Sequence, residues 1–571
     1  MTDSPNIPTV AEILVANLQR HGVEYIFAQS LPSALILAAE AIGIKQISYR
    51  QENMGGVMAD GYARLSGKVG VVAAQNGPAA TLLVPPFAEA LKASIPLVAL
   101  VQDVERDQTD KNAFQDFDQI ALFQSCTKWV RRVSVAQRIE DYIDAAFTAA
   151  ASGRPGPVAL LLPADLLREK VSLTLKRRQS NLGYWPLDRN CPPATMIANA
   201  VEWIACAKTP VVLAGGGVHS SGAADVLSAL QEKGSLPVFT TNMGKGAVNE
   251  THPLSCGVLG GLTGFGSIGA HTKKIMERAD LVLLVGTRTN QNGTDTWKQI
   301  PEGARVIHID VDPTEIGRNY EAMRLVGDAK ETLSALVDKI DGVSLASSEL
   351  RFDLEAEIAA CWRKFQDDRS RHYSSEASPV RPERIMSLIQ DIAGSSAVVV
   401  ADASYSSMWV SGQLIATRGG TRFLLPRGLA GLGWGLPLAI GATLATAGDR
   451  TVISIVGDGG FAHSWAEIET IIRHNIPVIT IVLNNGVLGF QRDAETVKFG
   501  KYTSACHFSP VNHAAIASAC GCDAVRVDNP EQFAVHLRRG IDSKKPLLIE
   551  VMTDPSARPP LSLFATLEDA A

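Results

Sequence analysis

The chain has 571 residues, of which 46% are hydrophobic and 20% charged, so it holds enough apolar side chains for several hydrophobic cores. We expect about three or four domains. The formal net charge of -6, without any long run of lysine and arginine, provides no positive surface for a phosphate backbone and excludes nucleic acid as an expected partner.

Short β-branched runs alternate with amphipathic helical stretches, and this pattern predicts the α/β class, in which parallel sheets are covered by helices. The first block is predicted over residues 1–180. It begins with a helix in TVAEILVANLQRHGV and continues with strands in YIFA, VGVVAA, PLVALV and PVALLLP. The charged stretch REKVSLTLKRRQS is predicted to be the linker that follows these strands.

Two further blocks repeat the same alternation. The second is predicted over residues 190–345, with strands in PVVLAGGG, PVFTT, DLVLLVG and RVIHIDVD. A charged helical connector is expected around residues 351–372. The third block, over residues 375–560, has strands in AVVVADA, TVISIVGDGG, PVITIVLNN and PLLIEVM. The sequence therefore predicts three doubly wound parallel-sheet domains.

The N-terminus MTDSPNIPTV lacks a basic start followed by an apolar stretch, and no uninterrupted apolar segment reaches membrane-spanning length. The eight cysteines are scattered, and the one close pair, Cys520 and Cys522, has no second pair or nearby histidines to complete a metal site. We therefore expect reduced thiols, a cytoplasmic protein and no membrane partner.

The most informative motif is Gly457-Asp458-Gly459-Gly460, followed after a spacer by Asn484-Asn485. Each motif ends a predicted strand and the spacer holds an amphipathic helix, so this βαβ unit places both motifs at the carboxyl edge of one sheet. A carboxylate, an amide oxygen and a backbone carbonyl suit magnesium or calcium, and diphosphate oxygens can complete the coordination. The glycines let the backbone approach phosphate, and the next helix directs its positive end there. Taken singly, each motif could be an ordinary turn; their spacing favours a metal and diphosphate site.

The two motifs resemble the GDG and NN motifs of the thiamine diphosphate-dependent enzyme superfamily. This resemblance implies a divalent cation, Mg²⁺ or alternatively Ca²⁺ or Mn²⁺, held by the side chains of Asp458 and Asn485 and the backbone carbonyl of Val487. It also implies that the three domains bind the pyrimidine ring, a nucleotide and the diphosphate, respectively. The residues implied to bind the cofactor are Glu52, Tyr405, Ser406, Leu432, Gly457, Asp458, Gly459, Gly460, Asn485, Val487, Leu488 and Gly489.

Two further segments resemble parts of this superfamily that activate the cofactor. The segment RQENMGGVMADGYARLSG implies that Glu52 is the glutamate that bonds the pyrimidine ring and makes one of its nitrogens a base. Without the resemblance, Glu52 would be interpreted as a solvated charge at a helix start. The segment RGLAGLGWGLPLAIGA implies that Leu432 lies between the two cofactor rings, although an apolar residue there could equally be core. In this superfamily the two halves of the site meet across subunits, which implies a homodimer or homotetramer.

Over almost the whole chain, the order of motifs resembles the acetolactate synthase branch, also called acetohydroxyacid synthase. The supporting segments include Ala113-Phe114-Gln115-Asp116, Lys128 in CTKW, PVFTTNMGKGA, VIHIDVDPTEIGRN and LNNGVLG. The departures fall at substrate positions. Asn292 stands where the branch has an arginine associated with the acceptor substrate, and Ala494 stands where it has a tryptophan.

The paired histidines of pyruvate decarboxylase-like relatives are absent from the first block. Substrate-side chemistry is therefore expected to rely on amide side chains, which orient carbonyls more than they shuttle protons. The predicted catalytic set is Glu52, Gln115, Gln29, Gln75 and Asn76. The alternative for each Gln or Asn is an ordinary surface-loop residue.

A second nucleotide site is a further possibility in the middle block. Gly215-Gly216-Gly217 follows one strand, and Asp310 and Asp312 end another, so they could hold a diphosphate and a ribose. The triplet lacks the GxGxxG spacing, and acids at strand ends often cap the next helix. The acetolactate synthase resemblance implies FAD; a resemblance to oxalyl-CoA decarboxylase and 2-hydroxyacyl-CoA lyase would imply ADP or CoA.

The resulting prediction is a lyase or carboligase that depends on thiamine diphosphate and a metal, acts on 2-oxo acids or related carbonyl substrates through an enamine intermediate, and has a divergent substrate pocket. Within enzymes, the alternative is a lyase that cleaves CoA thioesters. The contrasting hypothesis is a non-catalytic relative that kept the scaffold, but both Glu52 and the complete metal motif count against it.

Overall fold

The computed structural model describes residues 7–172, 178 and 181–567, so most of the predicted linker REKVSLTLKRRQS lies outside the described residues. The described chain forms three sheets of six strands, all paired in parallel and flanked by helices. The predicted α/β class with doubly wound parallel sheets is confirmed.

The first sheet has the strand order β2-β1-β3-β4-β6-β5. Its strands are β1 (Tyr25–Phe27), β2 (Lys45–Ile47), β3 (Gly70–Ala74), β4 (Leu97–Asp103), β5 (Trp129–Arg132) and β6 (Val158–Pro163). Its helices are α1 (Val10–Arg20), α2 (Ser33–Ala41), α3 (Glu52–Ser66), α4 (Pro78–Leu82), α5 (Val84–Ala93), α6 (Gln119–Gln124), α7 (Ile139–Ala151) and α8 (Ala164–Arg168). Strands β3 and β6 are buried along their whole length, which explains their continuous apolar sequences.

The second sheet has the order β12-β11-β10-β7-β8-β9. Its strands are β7 (Pro210–Ala214), β8 (Val238–Thr240), β9 (Ser255–Val258), β10 (Leu281–Val285), β11 (Arg305–Asp310) and β12 (Met323–Val326). The helices are α9 (Ala194–Cys206), α10 (Gly217–Ser221), α11 (Ala224–Lys233), α12 (Ile268–Glu277), α13 (Ala329–Ile340) and α14 (Arg351–Tyr373). Helix α14 is the predicted connector, and Arg369 near its end lies 4.0 Å from the ring centroid of Tyr373.

The third sheet has the order β14-β13-β15-β16-β18-β17. Its strands are β13 (Val398–Ala401), β14 (Phe423–Leu424), β15 (Val452–Gly457), β16 (Val478–Asn484), β17 (Asp523–Val527) and β18 (Leu547–Met552). The helices are α15 (Pro382–Ala393), α16 (Tyr405–Gln413), α17 (Gly435–Ala445), α18 (Asp458–Phe461), α19 (Glu467–Arg473), α20 (Gly489–Phe499), α21 (His513–Ala519) and α22 (Pro530–Ser543). Each sheet falls within one predicted block, while the block boundaries themselves stay predictions.

By its internal contacts the chain divides into two compact units. The first comprises Met1–Asp188, Pro426–Asp449 and Ser464–Ile476, and thus holds the first sheet together with α17 and α19. The second comprises Arg189–Leu425, Arg450–His463 and Pro477–Ala571, and holds the other two sheets.

Helices α3 and α17 pack closely within the first unit, and glycines make this approach possible. A Cβ atom added at Gly61 would lie 2.1 Å from the carbonyl oxygen of Leu438, and one added at Gly441 would lie 1.9 Å from that of Met58. Since real Cβ atoms do not come so near, both positions require glycine at this helix spacing. Helix α3, which begins at Glu52, is therefore held along its length.

Candidate active site

The GDG and NN loops meet at the carboxyl edge of the third sheet, inside the second unit. Strands β15 and β16 pair in parallel with Gly457 opposite Leu483, so both loops leave the sheet at the same level. The carboxylate of Asp458 accepts a hydrogen bond from the Gly486 backbone N–H at 3.0 Å. Asp458 thus lies beside Gly486, the residue that follows Asn485.

The two asparagines of the NN loop make different contacts. Asn484 donates from its side chain to the buried carboxylate of Glu550 at 2.7 Å, so it anchors the loop to β18. The Asn485 side-chain oxygen accepts from the Val487 backbone N–H at 3.2 Å and stays within its own turn. Gly486, which lies between Asn485 and Val487, has a φ of +69°, a conformation that favours glycine. The turn keeps Asn485 and Val487 next to each other.

The Asp458 carboxyl group is buried, and this burial raises its pKa to about 6, while backbone N–H groups, that of Gly459 foremost, act to lower it. Burial of a charged carboxylate without a positive partner is unfavourable in free energy, and a divalent cation is such a partner. Asp458, Asn485 and the Val487 carbonyl would supply only hard oxygen atoms. This donor set fits Mg²⁺.

Two glycines of these loops allow aromatic side chains to pack directly against the backbone. A Cβ atom added at Gly459 would lie 2.7 Å from the Phe508 ring, and one at Gly489 would lie 2.7 Å from the Tyr405 ring. Ser406 lies beside Gly457, with its hydroxyl 3.7 Å from an added Cβ. The structure therefore brings Tyr405 and Ser406 together with both glycine loops, and a larger residue at position 459 or 489 would collide with a ring.

The remaining predicted cofactor residues of this half lie on the same loops. Gly460 is buried within α18, and Leu488 precedes α20, where its N–H donates to the Cys506 carbonyl at 2.8 Å. The Tyr405 hydroxyl donates to the buried Asp493, so only the Tyr405 ring faces the loop. Among the described residues there is no group of three or more His, Cys, Asp and Glu side chains that could hold a metal. The predicted metal ligands include only one such side chain, Asp458, because the other two are the Asn485 amide and the Val487 carbonyl.

In the first unit, Glu52 is the first residue of α3 and is half-buried. Gln29 follows β1 and donates from its side chain to the Arg50 carbonyl at 3.3 Å, so it contacts the segment that precedes Glu52. Gln75, half-buried, follows β3. These positions follow the carboxyl ends of three neighbouring strands, β2, β1 and β3.

Asn76 and Gln115 come together in the same unit. The Asn76 side chain donates to the Gln115 carbonyl at 2.9 Å and accepts from Gln102 at 3.3 Å. The Gln115 side-chain oxygen is buried and makes no hydrogen bond among the described residues, and Gln115 has a φ of +62°. Asn76 therefore holds the loop that bears Gln115, whose buried side-chain oxygen could accept a further hydrogen bond.

Leu432 lies in the loop before α17 and is 36% exposed within the single chain. The backbone of this loop is held by Glu89 of α5, whose carboxylate is fully buried. It accepts hydrogen bonds from the N–H groups of Gly428, Leu429 and Ala430. Sequence reasoning missed Glu89, because the three N–H groups that it binds lie some 340 residues away in the chain.

Asn292 and Ala494, the two positions of the second unit where the sequence differs from the acetolactate synthase branch, have different surroundings. Asn292 has an exposed side chain and lies in a short helical turn, where its carbonyl accepts from the Gly261 N–H at 2.9 Å. Ala494 is half-buried on α20 and packs against the core of the third sheet. A tryptophan at Ala494 would occupy far more volume at this point.

The middle sheet reverses its strand order between β7 and β10, where doubly wound sheets bind ligands. Gly215 and Gly217 lie there, against the backbone of Gly286. Asp310 accepts from the Asp312 N–H at 2.9 Å, and Asp312 in turn accepts from Thr314, so both acids order their own turn. The side-chain oxygens of Thr240 and Asn242, at the end of the adjacent β8, are buried without hydrogen bonds in the described chain. These orphaned groups fit a nucleotide at this edge.

Three parallel α/β sheets, with GDG and NN loops meeting at one strand edge, characterise the enzymes that use thiamine diphosphate. Family models of thiamine pyrophosphate enzymes match three segments: the N-terminal TPP binding domain at residues 8–122, the central domain at 197–336 and the C-terminal TPP binding domain at 402–551.

Relatives of known name match nearly end to end. A probable acetolactate synthase large subunit from Methanococcus aeolicus is 32% identical over 98% of this chain and 95% of its own length. An acetolactate synthase from Arthrospira platensis is 31% identical over 95% and 94%, and the large subunit from Lactococcus lactis subsp. lactis is 29% identical over 96% and 92%. The chain belongs to the thiamine pyrophosphate enzymes, in the acetolactate synthase-like family. These relatives do not favour the CoA-thioester or non-catalytic alternatives.

No helix within the described ranges is both long enough and apolar enough to cross a membrane.

Proposed function

We propose that the chain is a metal-dependent carboligase or lyase that acts on 2-oxo acids or related carbonyl compounds, with a substrate pocket different from that of its acetolactate synthase relatives. The observation that carries the proposal is the contact between Asp458 and the Gly486 N–H, because it joins the two loops that would bind the metal. The divergent pocket is supported by the amide-rich positions Gln29, Gln75 and Gln115 and by Asn292 and Ala494.

Each residue has a defined task in this proposal. Asp458, Asn485 and the Val487 carbonyl would hold Mg²⁺, and the backbone of the glycines at positions 457, 459, 460 and 489 would contact the diphosphate. When bound, thiamine diphosphate supplies a carbon that adds to a carbonyl group and a ring that accepts the electrons of the broken carbon–carbon bond. The Glu52 carboxylate would hold the proton that it shares with a pyrimidine nitrogen, and Leu432 would keep the two rings apart.

The proposal is tested first at Glu52. Glu52→Gln keeps the size of the side chain but removes its charge, so turnover of pyruvate and other 2-oxo acids should fall at least about 1000-fold, within the range expected for a lost acid–base group. Isothermal titration calorimetry should still show thiamine diphosphate binding that requires Mg²⁺. Full activity in Glu52→Gln would remove the assignment. Glu40→Gln, an exposed change on α2, is the matched control.

We also propose a nucleotide at the junction of β7 and β10. The resemblance to acetolactate synthases implies FAD, whereas ADP or CoA would fit the alternative branch. An absorption spectrum of the purified protein separates these possibilities without any assumption about substrate, because only bound flavin absorbs near 450 nm, about the usual flavin maximum. Thr240→Val, which removes one orphaned hydroxyl, should weaken retention of whichever nucleotide is found.

A further inference from the structure

The segment Ser48–Gln51 joins β2 to α3, whose first residue is Glu52. Gln51 occupies the N-cap position of α3 with extended backbone, φ -133° and ψ 142°, but its side chain makes no capping hydrogen bond. The Gln51 side chain therefore binds none of the N–H groups at the start of the helix. The N–H groups of Gln51 and of the preceding Arg50 have a partner from another helix.

That partner is Glu467, the first residue of α19 in the same compact unit. Its carboxylate accepts from the Arg50 N–H at 3.1 Å and from the Gln51 N–H at 3.2 Å. The Thr470 hydroxyl donates to the same carboxylate at 2.7 Å and fixes its orientation. Glu467 is 1% exposed, and burial raises the pKa of its carboxyl group while these donors oppose the rise.

The end of α19 holds the preceding residue as well. The Ser48 N–H donates to the His474 ring nitrogen Nε2 at 3.1 Å, and the Arg473 guanidinium donates to the Ser48 carbonyl at 2.9 Å. Backbone groups of Ser48, Arg50 and Gln51 are therefore all held by side chains of one short segment. Glu467 contributes the only carboxylate among these contacts.

Glu52 itself has no comparable restraint. Within the described part of the chain, its carboxylate makes no hydrogen bond and no ion pair, so its position depends on the backbone from which it projects. That backbone is the segment that Glu467 holds. We propose that Glu467 is a positioning residue, which sets the place and direction of the Glu52 carboxylate by binding the Arg50 and Gln51 N–H groups; this rests on the role of Glu52 proposed above.

The test compares Glu467→Gln with Glu52→Gln and with the double variant, each loaded with Mg²⁺ and thiamine diphosphate. The readout is the rate at which the C2 proton of the bound cofactor exchanges with deuterium, measured by quenched-flow NMR, because this rate needs no substrate. We expect Glu467→Gln to slow exchange about 10- to 100-fold, the loss that follows a displacement of about 1 Å. The double variant should be no slower than Glu52→Gln alone, since the first change acts only through Glu52.

A second measurement uses the protein without cofactor. Hydrogen exchange at the backbone amides of residues 50 and 51, followed by mass spectrometry, should be faster in Glu467→Gln and unchanged in the control Glu40→Gln. Thr470→Val keeps the shape of the side chain and removes the hydroxyl that orients Glu467. It should slow the C2 exchange about two- to fivefold, in line with the loss of one neutral hydrogen bond.

The outcomes separate the two proposals. A folded Glu467→Gln protein that exchanges the C2 proton within twofold of the unaltered enzyme overturns the positioning role, as does a double variant with additive losses. If Glu467→Gln does not fold, an unaltered rate in Thr470→Val overturns the role instead. Rapid exchange in Glu52→Gln would overturn the proposed function of Glu52 itself.

Discussion

Asp458 combines two properties at the scale of a single residue: it is buried, and it faces backbone N–H groups from both loops. Burial raises its pKa to about 6, so in the absence of a cation part of the population is protonated near neutral pH. A divalent ion would reverse this effect by favouring the charged form. We therefore expect binding of the metal to keep the Asp458 carboxylate in its charged form.

Replacing Asp458 by Ala should weaken Mg²⁺-dependent binding of thiamine diphosphate by at least about 100-fold, which corresponds to ~2.7 kcal/mol. The reason is the loss of the one charged ligand in an otherwise neutral donor set. Titration calorimetry with and without EDTA measures the change. Asp542→Asn, an exposed substitution on α22, is the control. Equal affinity in the Asp458→Ala variant would mean that the metal is held elsewhere.

At the scale of elements, the packing of α3 on α17 determines where the helix that bears Glu52 lies. The closest approaches are backbone to backbone, at Gly61 and Gly441. Backbone atoms cannot move aside as the end of a flexible side chain can, so an added methyl group must push the helices apart.

Gly441→Ala should lower the free energy of unfolding of the first unit by about 1–3 kcal/mol, because its Cβ would meet the Met58 carbonyl at 1.9 Å. Scanning fluorimetry of the full chain provides the measurement. Gly412→Ala is the matched change: it lies inside α16, and its Cβ would meet nothing closer than 3.5 Å, an ordinary contact. This control should be neutral or slightly stabilising, since alanine favours helix over glycine. Equal effects at the two positions would contradict the packing argument.

Two histidines of the middle block are buried in their neutral form. Desolvation lowers the pKa of His219 to about 3 and that of His308 to about 4, from an ordinary value of 6.5. His308 contacts the Thr287 carbonyl at 2.9 Å through Nε2. Because the unfolded chain binds a proton near pH 6.5 and the folded chain does not, stability present above pH 6.5 is lost as the pH falls towards 4.

Each of these histidines should therefore remove up to about 1.4 kcal/mol of stability per pH unit between pH 6.5 and 4. His308→Gln retains a donor for Thr287 but cannot titrate. Its unfolding temperature, followed by circular dichroism from pH 7 to pH 4.5, should fall less steeply than that of the unaltered protein. Parallel curves would show that His308 does not contribute.

At the scale of the whole molecule, several large apolar side chains of the first unit are exposed in the single chain. Phe114 is 86% exposed, and Phe117, Leu429 and Leu432 are exposed as well. Two of these residues flank the predicted substrate residue Gln115, and Leu432 is the predicted residue between the cofactor rings. Exposed apolar side chains at such positions support an interface with a second copy of the chain.

We accordingly expect a homodimer or homotetramer with its active site between subunits. Sedimentation velocity should show a species of at least two chains, and dilution below the dissociation constant should remove thiamine diphosphate binding together with activity. Phe114→Ser should shift the assembly towards monomer. A monomer that binds the cofactor with undiminished affinity would contradict a site shared between subunits.

Local pattern alone was sufficient for the α/β class and for the GDG and NN loops. A buried parallel strand has a continuous apolar sequence. In a βαβ unit, the loops that follow the two strands lie at the same edge of the sheet. For that reason Asp458 could be assigned beside the NN loop from the spacing of residues along the chain. The middle-block glycines were harder to interpret, because a glycine required by a neighbouring backbone and one required by a phosphate look the same in sequence.

Only the tertiary structure revealed that Glu89 and Glu467 bind the backbone of distant loops. Both are acidic residues in helices, and sequence reasoning assigns such residues to solvent, since a charge is rarely buried without a partner. Besides Arg64 near Glu89 and the Thr470 hydroxyl on Glu467, their partners are backbone N–H groups. Every residue other than proline carries such a group, so these partners leave no trace in composition or spacing. The sequence thus determined the class of fold and the meeting of the GDG and NN loops. The contacts that hold the Glu52 and Leu432 segments, in contrast, depended on the approach of chain segments more than 300 residues apart.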